Sequence, residues 1–141
     1  MKPVMVIGSI GAGKTSLAQH LAGQPGEPTK TQVATLLSQV LDTPGEYLDH
    51  HSLQRALLLA SYDVDAVILV QSAVDGPTRL PHGFASYFTC PLIGVVNKID
   101  IASPHERTLT RQDLERAGAD PIVDISCLTG TGLDTLREVL A

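Results

Sequence analysis

Four short, mostly apolar runs punctuate the chain: Val4-Met-Val-Ile7, Ala66-Val-Ile-Leu-Val70, Leu92-Ile-Gly-Val-Val96 and Ile122-Val-Asp-Ile125. Near-continuous apolar runs of this length predict strands buried on both faces, the condition of a parallel sheet. Helical spacing and caps predict helices at Thr15–Ala22, about Ser52–Ser61, a short one near Phe84–Phe88, Arg111–Ala117 and Leu133–Leu140. The alternation predicts an α/β domain with helices on both faces of the sheet. The stretch from Gln32 to about Leu41 is too short for a crossover helix plus a strand. A tight hairpin that adds one antiparallel edge strand is the economical solution there. Gly23-Gln-Pro-Gly-Glu-Pro28, Leu80-Pro81 and Ser103-Pro104 read as turns. No internal repeat or linker divides residues 1–141, which read as one domain.

Where the first run ends, the chemistry begins. Gly8-Ser-Ile-Gly-Ala-Gly-Lys-Thr15 fits the phosphate-loop pattern G-x-x-x-x-G-K-[ST] at every fixed position, between a strand and a helix. Glycine permits the tight curl that turns successive N–H groups toward phosphate oxygens, and the helix start adds its positive dipole end. Gly8, Ser9, Ile10, Gly11, Ala12, Gly13, Lys14, Thr15 and the following Ser16 are therefore the phosphate-side candidates. Lys14 offers a point charge to the β- and γ-phosphates, a catalytic as well as a binding contribution. The Thr15 hydroxyl offers a ligand to Mg²⁺. The motif implies a nucleoside triphosphate ligand.

Three further polar motifs follow in order. Asp42-Thr-Pro-Gly45 places a carboxylate where it can reach Mg²⁺, usually through water, and a Gly45 N–H where it can meet a γ-phosphate. Asn97-Lys-Ile-Asp100 closes the third run. The Asp100 carboxylate can accept from both the ring N–H and the exocyclic amine of guanine, while the Lys98 stem lies over the base and Asn97 braces the phosphate loop. Adenine lacks that donor pair and would leave the carboxylate unpaired. After the fourth run, backbone N–H groups of Ser126, Cys127 and Leu128 can face the base carbonyl, or the segment serves as a helix N-cap loop, or both.

Composition narrows the setting. A net charge of −5 with no clustered Lys or Arg excludes a nucleic-acid groove. Two distant cysteines, Cys90 and Cys127, suit small buried thiols and a reducing cytoplasm. No apolar run reaches membrane-spanning length, and Met1 leads almost directly into the first strand, which leaves no room for a signal peptide.

Phosphate loop, D-x-x-G, N-K-x-D and a final Ser-containing loop stand in the order of the small GTPases, and the chain resembles them from Val4 to its last helix. More narrowly, the phosphate loop with Lys30-Thr-Gln32, Asp42-Thr-Pro-Gly-Glu-Tyr47 and Arg79-Leu-Pro81 resembles the EutP/PduV family of ethanolamine and propanediol utilisation. That resemblance implies a Ras-like P-loop fold, Mg²⁺ as cofactor and GTP or GDP as ligand. It also implies a cytoplasmic bacterial protein working beside microcompartment shell or enzyme proteins.

Several positions depart from a fast GTPase. The span from Lys14 to Asp42 is short, so the first switch is abbreviated, and Thr31 is preferred to Thr29 as its Mg²⁺ ligand. Glu46 stands where many small GTPases carry glutamine. As a catalytic base it would face the γ-phosphate at electrostatic cost, and as an exposed switch-loop acid it would do nothing. Ile10 crowds the approach of a partner's arginine, and Gly11 replaces the asparagine of potassium-activated relatives. His50, His51 and Arg79 read as surface or switch residues. The expectation is a slow GTPase acting as a switch or assembly factor. The alternative is a kinase passing the γ-phosphoryl to a short carboxylate such as acetate, with Arg55 and Arg79 as the candidate anion partners.

Overall fold

The computed structural model describes residues 4–8, 12–13, 16–17, 19–20, 58–59, 61–62, 64–75 and 83–140. Its sheet has the order β1 (Val4–Gly8), β2 (Ala66–Ser72), β3 (Leu92–Asn97) and β4 (Ile122–Asp124). Among the described residues all pairings are parallel, with Val4 opposite Ala66, Val67 opposite Leu92 and Gly94 opposite Ile122. Every residue of the first three strands is buried, as continuous apolar runs require.

Alternation along each strand divides the core into two layers. Met5, Ile7, Val67, Leu69, Leu92 and Val96 face one way, against a 3₁₀ turn at Phe84–Tyr87 and helix α1 (Pro104–Ala117), which contribute Phe84, Leu114 and Ala117. Val4, Val6, Ile68, Val70, Ile93 and Val95 face the other way. There they meet Leu17 of the segment after the phosphate loop and Leu133 and Leu136 of helix α2 (Leu133–Leu140). Leu17 and Leu136 are fully buried. Each such side chain stabilises the packing by about 1.5–3 kcal/mol relative to exposure. Phe84 meets Phe88, the cap of the same turn, edge-on at 5.3 Å, and both rings are buried in the layer formed with the strands.

Helix α1 is twice as long as the expected Arg111–Ala117. The Ser103-Pro104 pair, read from sequence as a turn, opens the helix instead. Ser103 Oγ accepts from the Glu106 N–H at 3.1 Å, and Glu106 Oε1 accepts from the Ser103 N–H at 2.9 Å. This is a capping box, and Pro104 at the first helical position loses no hydrogen bond because that N–H is unpaired in any helix. The helix stops at Gly118, whose φ of 93° is natural only to glycine. Arg107 and Arg111 of α1 both bind the Asp124 carboxylate at the end of β4, the former at 2.7 Å. Gln71 of β2 bonds buried Asp113 of α1 at 3.2 Å.

Helix α2 matches its expected bounds, and the Phe84–Phe88 helix is a 3₁₀ turn. Residues 58, 59 and 61 of the expected Ser52–Ser61 helix are helical. The expected antiparallel edge strand from Gln32 to Leu41 lies outside the described residues. No helix among the described residues is long and apolar enough to cross a membrane.

Candidate functional site

The apolar run of each strand breaks off at its carboxyl end: at Gly8 on β1, Gln71 and Ser72 on β2, Asn97 on β3, and Ser126 just past β4. In an open parallel sheet these ends converge on one rim, the usual place for a ligand. A cleft of about 440 Å³ lies there, within the range of small-ligand sites. Among the described residues it is lined by Gly13, Ser16, Gln19, His20, Asn97, Lys98, Asp100, Ile101, Ser126, Cys127 and Leu128.

Asn97 joins the pieces. Its side chain is 2% exposed, and its Nδ2 donates to the Ala12 carbonyl of the phosphate loop at 2.8 Å. Its Oδ1 accepts from the Lys98 N–H at 2.8 Å and from the Cys127 N–H at 3.3 Å. One amide thus ties together the phosphate loop, the N-K-x-D turn and the last loop. The fit is tight, since a Cβ on Gly13 (φ +99°) would overlap Asn97 Nδ2. The helix after the loop begins at once, with the Leu17 N–H donating to Gly13 O at 2.9 Å.

Asp100 is exposed to the cleft, and its Oδ1 accepts from Ser126 Oγ at 2.7 Å. A carboxylate has about four acceptor positions, so most of its capacity stays open to donors from a ligand. Ser126 is fully buried, its N–H donates to Thr131 O at 2.9 Å, and its Oγ also accepts from the Thr129 N–H at 3.2 Å. The hydroxyl therefore acts as a brace for Asp100. The Ser126 N–H is held inside its own loop, so among the three candidate N–H groups of this segment it is the one already paired with a loop carbonyl. The Cys127 bond is the longest of the three that the Asn97 side chain makes to the backbone. Leu128 is 86% exposed at the rim of the cleft.

Lys98 sits in the left-handed region at φ 64°, with its ammonium 3.9 Å from Asp75 Oδ2. The Cys127 thiol is half-buried, and burial pushes its pKa up, partly offset by a hydrogen bond with Asn97. Burial likewise raises that of Cys90, with a further push from the Asp65 charge. Both cysteines are free.

The structure therefore brings together Ala12, Gly13, Ser16, Asn97, Lys98, Asp100, Ser126, Cys127 and Leu128. Ser9, Ile10, Gly11, Lys14, Thr15, Thr31, Asp42, Gly45 and Glu46 lie outside the described residues, as do Thr29, His50, His51, Arg55 and Arg79. Gly8 is buried at the end of β1. Sequence reasoning missed Gln19, His20 and Ile101 as cleft walls, and Asp75 as the partner of Lys98. Helical spacing from Ser16 carried a signal for Gln19 and His20, Ile101 directly follows the N-K-x-D motif, and Asp75 needed the strand order.

Comparison with known proteins gives a consistent picture. The model of the family described as ethanolamine utilisation - propanediol utilisation matches residues 1–141. The propanediol utilization protein PduV of Citrobacter freundii is 39% identical over 137 residues, 96% of this chain and 91% of that protein. A protein of Escherichia coli strain K12 named probable acetate kinase EutP is 32% identical over 143 residues, covering 100% of this chain and 90% of that one. Among solved structures, a probable GTP-binding protein engB superposes with a TM-score of 0.61 at 14% identity, covering 97% of this chain and 95% of that one. The elongation factor SelB of Methanococcus maripaludis, bound to the GTP analogue GppNHp, gives 0.60 at 21% identity, covering 97% of this chain but 32% of the factor. These likenesses establish the fold of P-loop GTPases.

Proposed function

The chain belongs to the ethanolamine utilisation - propanediol utilisation family, and on that premise we propose that it is a Mg²⁺-dependent guanine-nucleotide-binding protein with slow GTP hydrolysis. The observation that carries the reading is the Asp100 carboxylate, braced by Ser126 at 2.7 Å in the same cleft that Asn97 ties to the phosphate loop. Base and phosphate recognition are thereby held in one rigid frame. Guanine supplies two donors to Asp100, and the Cys127 N–H exchanges its 3.3 Å bond to Asn97 for the base carbonyl. The stem of Lys98 and the exposed Leu128 cover the ring.

Lys14 meets the β- and γ-phosphates and the Gly45 N–H the γ-phosphate. Thr15, Thr31 and Asp42 would hold the metal, since two hydroxyls and a carboxylate are the hard oxygen donors that Mg²⁺ takes. A Mg²⁺ ion held by these residues would supply charge neutralisation at the phosphates. Glu46 adds a negative charge beside the γ-phosphate and slows attack by water, so the protein works as a nucleotide-dependent switch or assembly factor. In this reading it serves ethanolamine or propanediol metabolism, which the family's description supports, and works beside microcompartment shell or enzyme proteins.

A second reading has one specific support, the name probable acetate kinase borne by a full-length relative. In it, the γ-phosphoryl passes to a carboxylate instead of water. Titration with GTP, GDP and ATP analogues, with and without Mg²⁺, tests the first reading, with folded Lys14→Ala as the control that should lose triphosphate binding. ATP bound as tightly as GTP would sink it. Acyl phosphate formed from acetate and nucleotide would establish the second.

A further inference from the structure

Lys98 holds a left-handed backbone, the one non-glycine residue among those described to do so. Such a conformation persists only where its surroundings enforce it. One restraint is the Asn97 Oδ1 that accepts from the Lys98 N–H at 2.8 Å. The other comes from a different part of the chain. Beyond β2, the Ala73 N–H donates to the Asn97 carbonyl at 3.0 Å, and the Val74 N–H donates to Ser72 Oγ at 3.3 Å. These bonds turn the chain beside Lys98 and present Asp75, whose Oδ2 lies 3.9 Å from the lysine ammonium. Asp75 is not among the cleft-lining residues, whereas Lys98 is.

We propose that Asp75 is a positioning residue for Lys98, drawing its ammonium out of the cleft so that the four-carbon stem lies along the wall against the bound ring. The proposal rests on the guanine-nucleotide reading above. A lysine charge free in the cleft would stay hydrated and keep water over the ring face. A tethered one gives the ring a dry apolar contact.

Release of a fluorescent GDP analogue from the full chain measures the effect. Asp75→Asn should speed release roughly two- to fivefold, the scale of a partly exposed ion pair. Asp75→Glu, which keeps the charge, should restore most of the retention. In a Lys98→Met background the same Asp75→Asn change should do nothing. The effect should also fade near 1 M salt, where the screening length falls to about 3 Å. A loss of loop structure would produce neither the dependence on Lys98 nor the fading with salt. Unchanged release in Asp75→Asn, or an equal change in the Lys98→Met background, overturns the proposal while leaving the guanine reading standing. A wild-type chain that binds no GDP overturns both.

Discussion

Replacing Gly13 with alanine loads the point where phosphate loop and base turn meet. The backbone there has φ +99°, and the new Cβ would overlap Asn97 Nδ2. Two costs follow. An L side chain in a left-handed backbone costs about 1–2 kcal/mol. Displacing the Asn97 amide breaks its 2.8 Å bond to the Ala12 carbonyl and strains the bonds it accepts from Lys98 and Cys127. A buried amide left unsatisfied costs about 1–3 kcal/mol. Together Gly13→Ala should lose about 2–5 kcal/mol, a large share of the ~5–15 kcal/mol that holds a domain folded. Urea unfolding measures this directly. The double variant Gly13→Ala with Asn97→Ala separates the terms, because removing the amide removes the obstacle and leaves the backbone strain. Its destabilisation should fall short of the sum of the single changes by at least about 1 kcal/mol, the coupling expected of residues in contact. A Gly13→Ala protein within about 0.5 kcal/mol of wild type, or strictly additive variants, would refute the reasoning.

Three other outcomes are expected. Asp100→Asn should weaken GDP binding by about a hundredfold or more and shift preference toward xanthine nucleotides, whose extra carbonyl needs a donor; competition binding with both nucleotides reads the switch. Cys127 should alkylate slowly at neutral pH, because burial raises its pKa and keeps thiolate scarce, and the rate should climb as pH rises toward that raised value. Saturating GDP should protect Cys127 but not Cys90, which peptide mass spectrometry distinguishes. Glu46→Gln should leave single-turnover GTP hydrolysis unchanged or faster, from a wild-type rate on the order of 10⁻³ per second or below; a tenfold loss with intact binding would make Glu46 the general base.

Much of this was legible in the residues because burial on both faces leaves a plain signature. Strands β1, β2 and β3 have no solvent side, so their apolar runs needed no periodicity to be seen. The same runs end abruptly at Gly8, Gln71, Asn97 and Ser126, and the abruptness marks the rim where the cleft lies. Helix α1 was half hidden for the opposite reason. It is mostly solvent-facing, with Leu109 exposed and only Thr110, Asp113, Leu114 and Ala117 buried, so its first two turns carry little apolar pattern. Its start was written instead in the Ser103–Glu106 capping box, where Ser-Pro suits a turn and a first helical position alike.

Pairwise contacts at the rim were legible only in part. The link from Asn97 to the phosphate loop follows from motif order, since both motifs close neighbouring parts of one ligand site. The link from Asp75 to Lys98 does not, because no motif contains Asp75. It depends on β2 lying beside β3 in a register that sets Ser72 opposite Asn97. That register makes the residues just past each strand end neighbours, and the Ala73 N–H bond to Asn97 O then fixes where Asp75 emerges. A slip of one residue in that pairing would turn each strand's buried set to the opposite layer. Because both layers here are filled core, the hydrophobic packing that forms the sheet also sets the distance between the carboxylate and the lysine. The geometry of the ligand wall is thus inherited from the core, and substitutions in β2 that leave every cleft residue intact can still alter it.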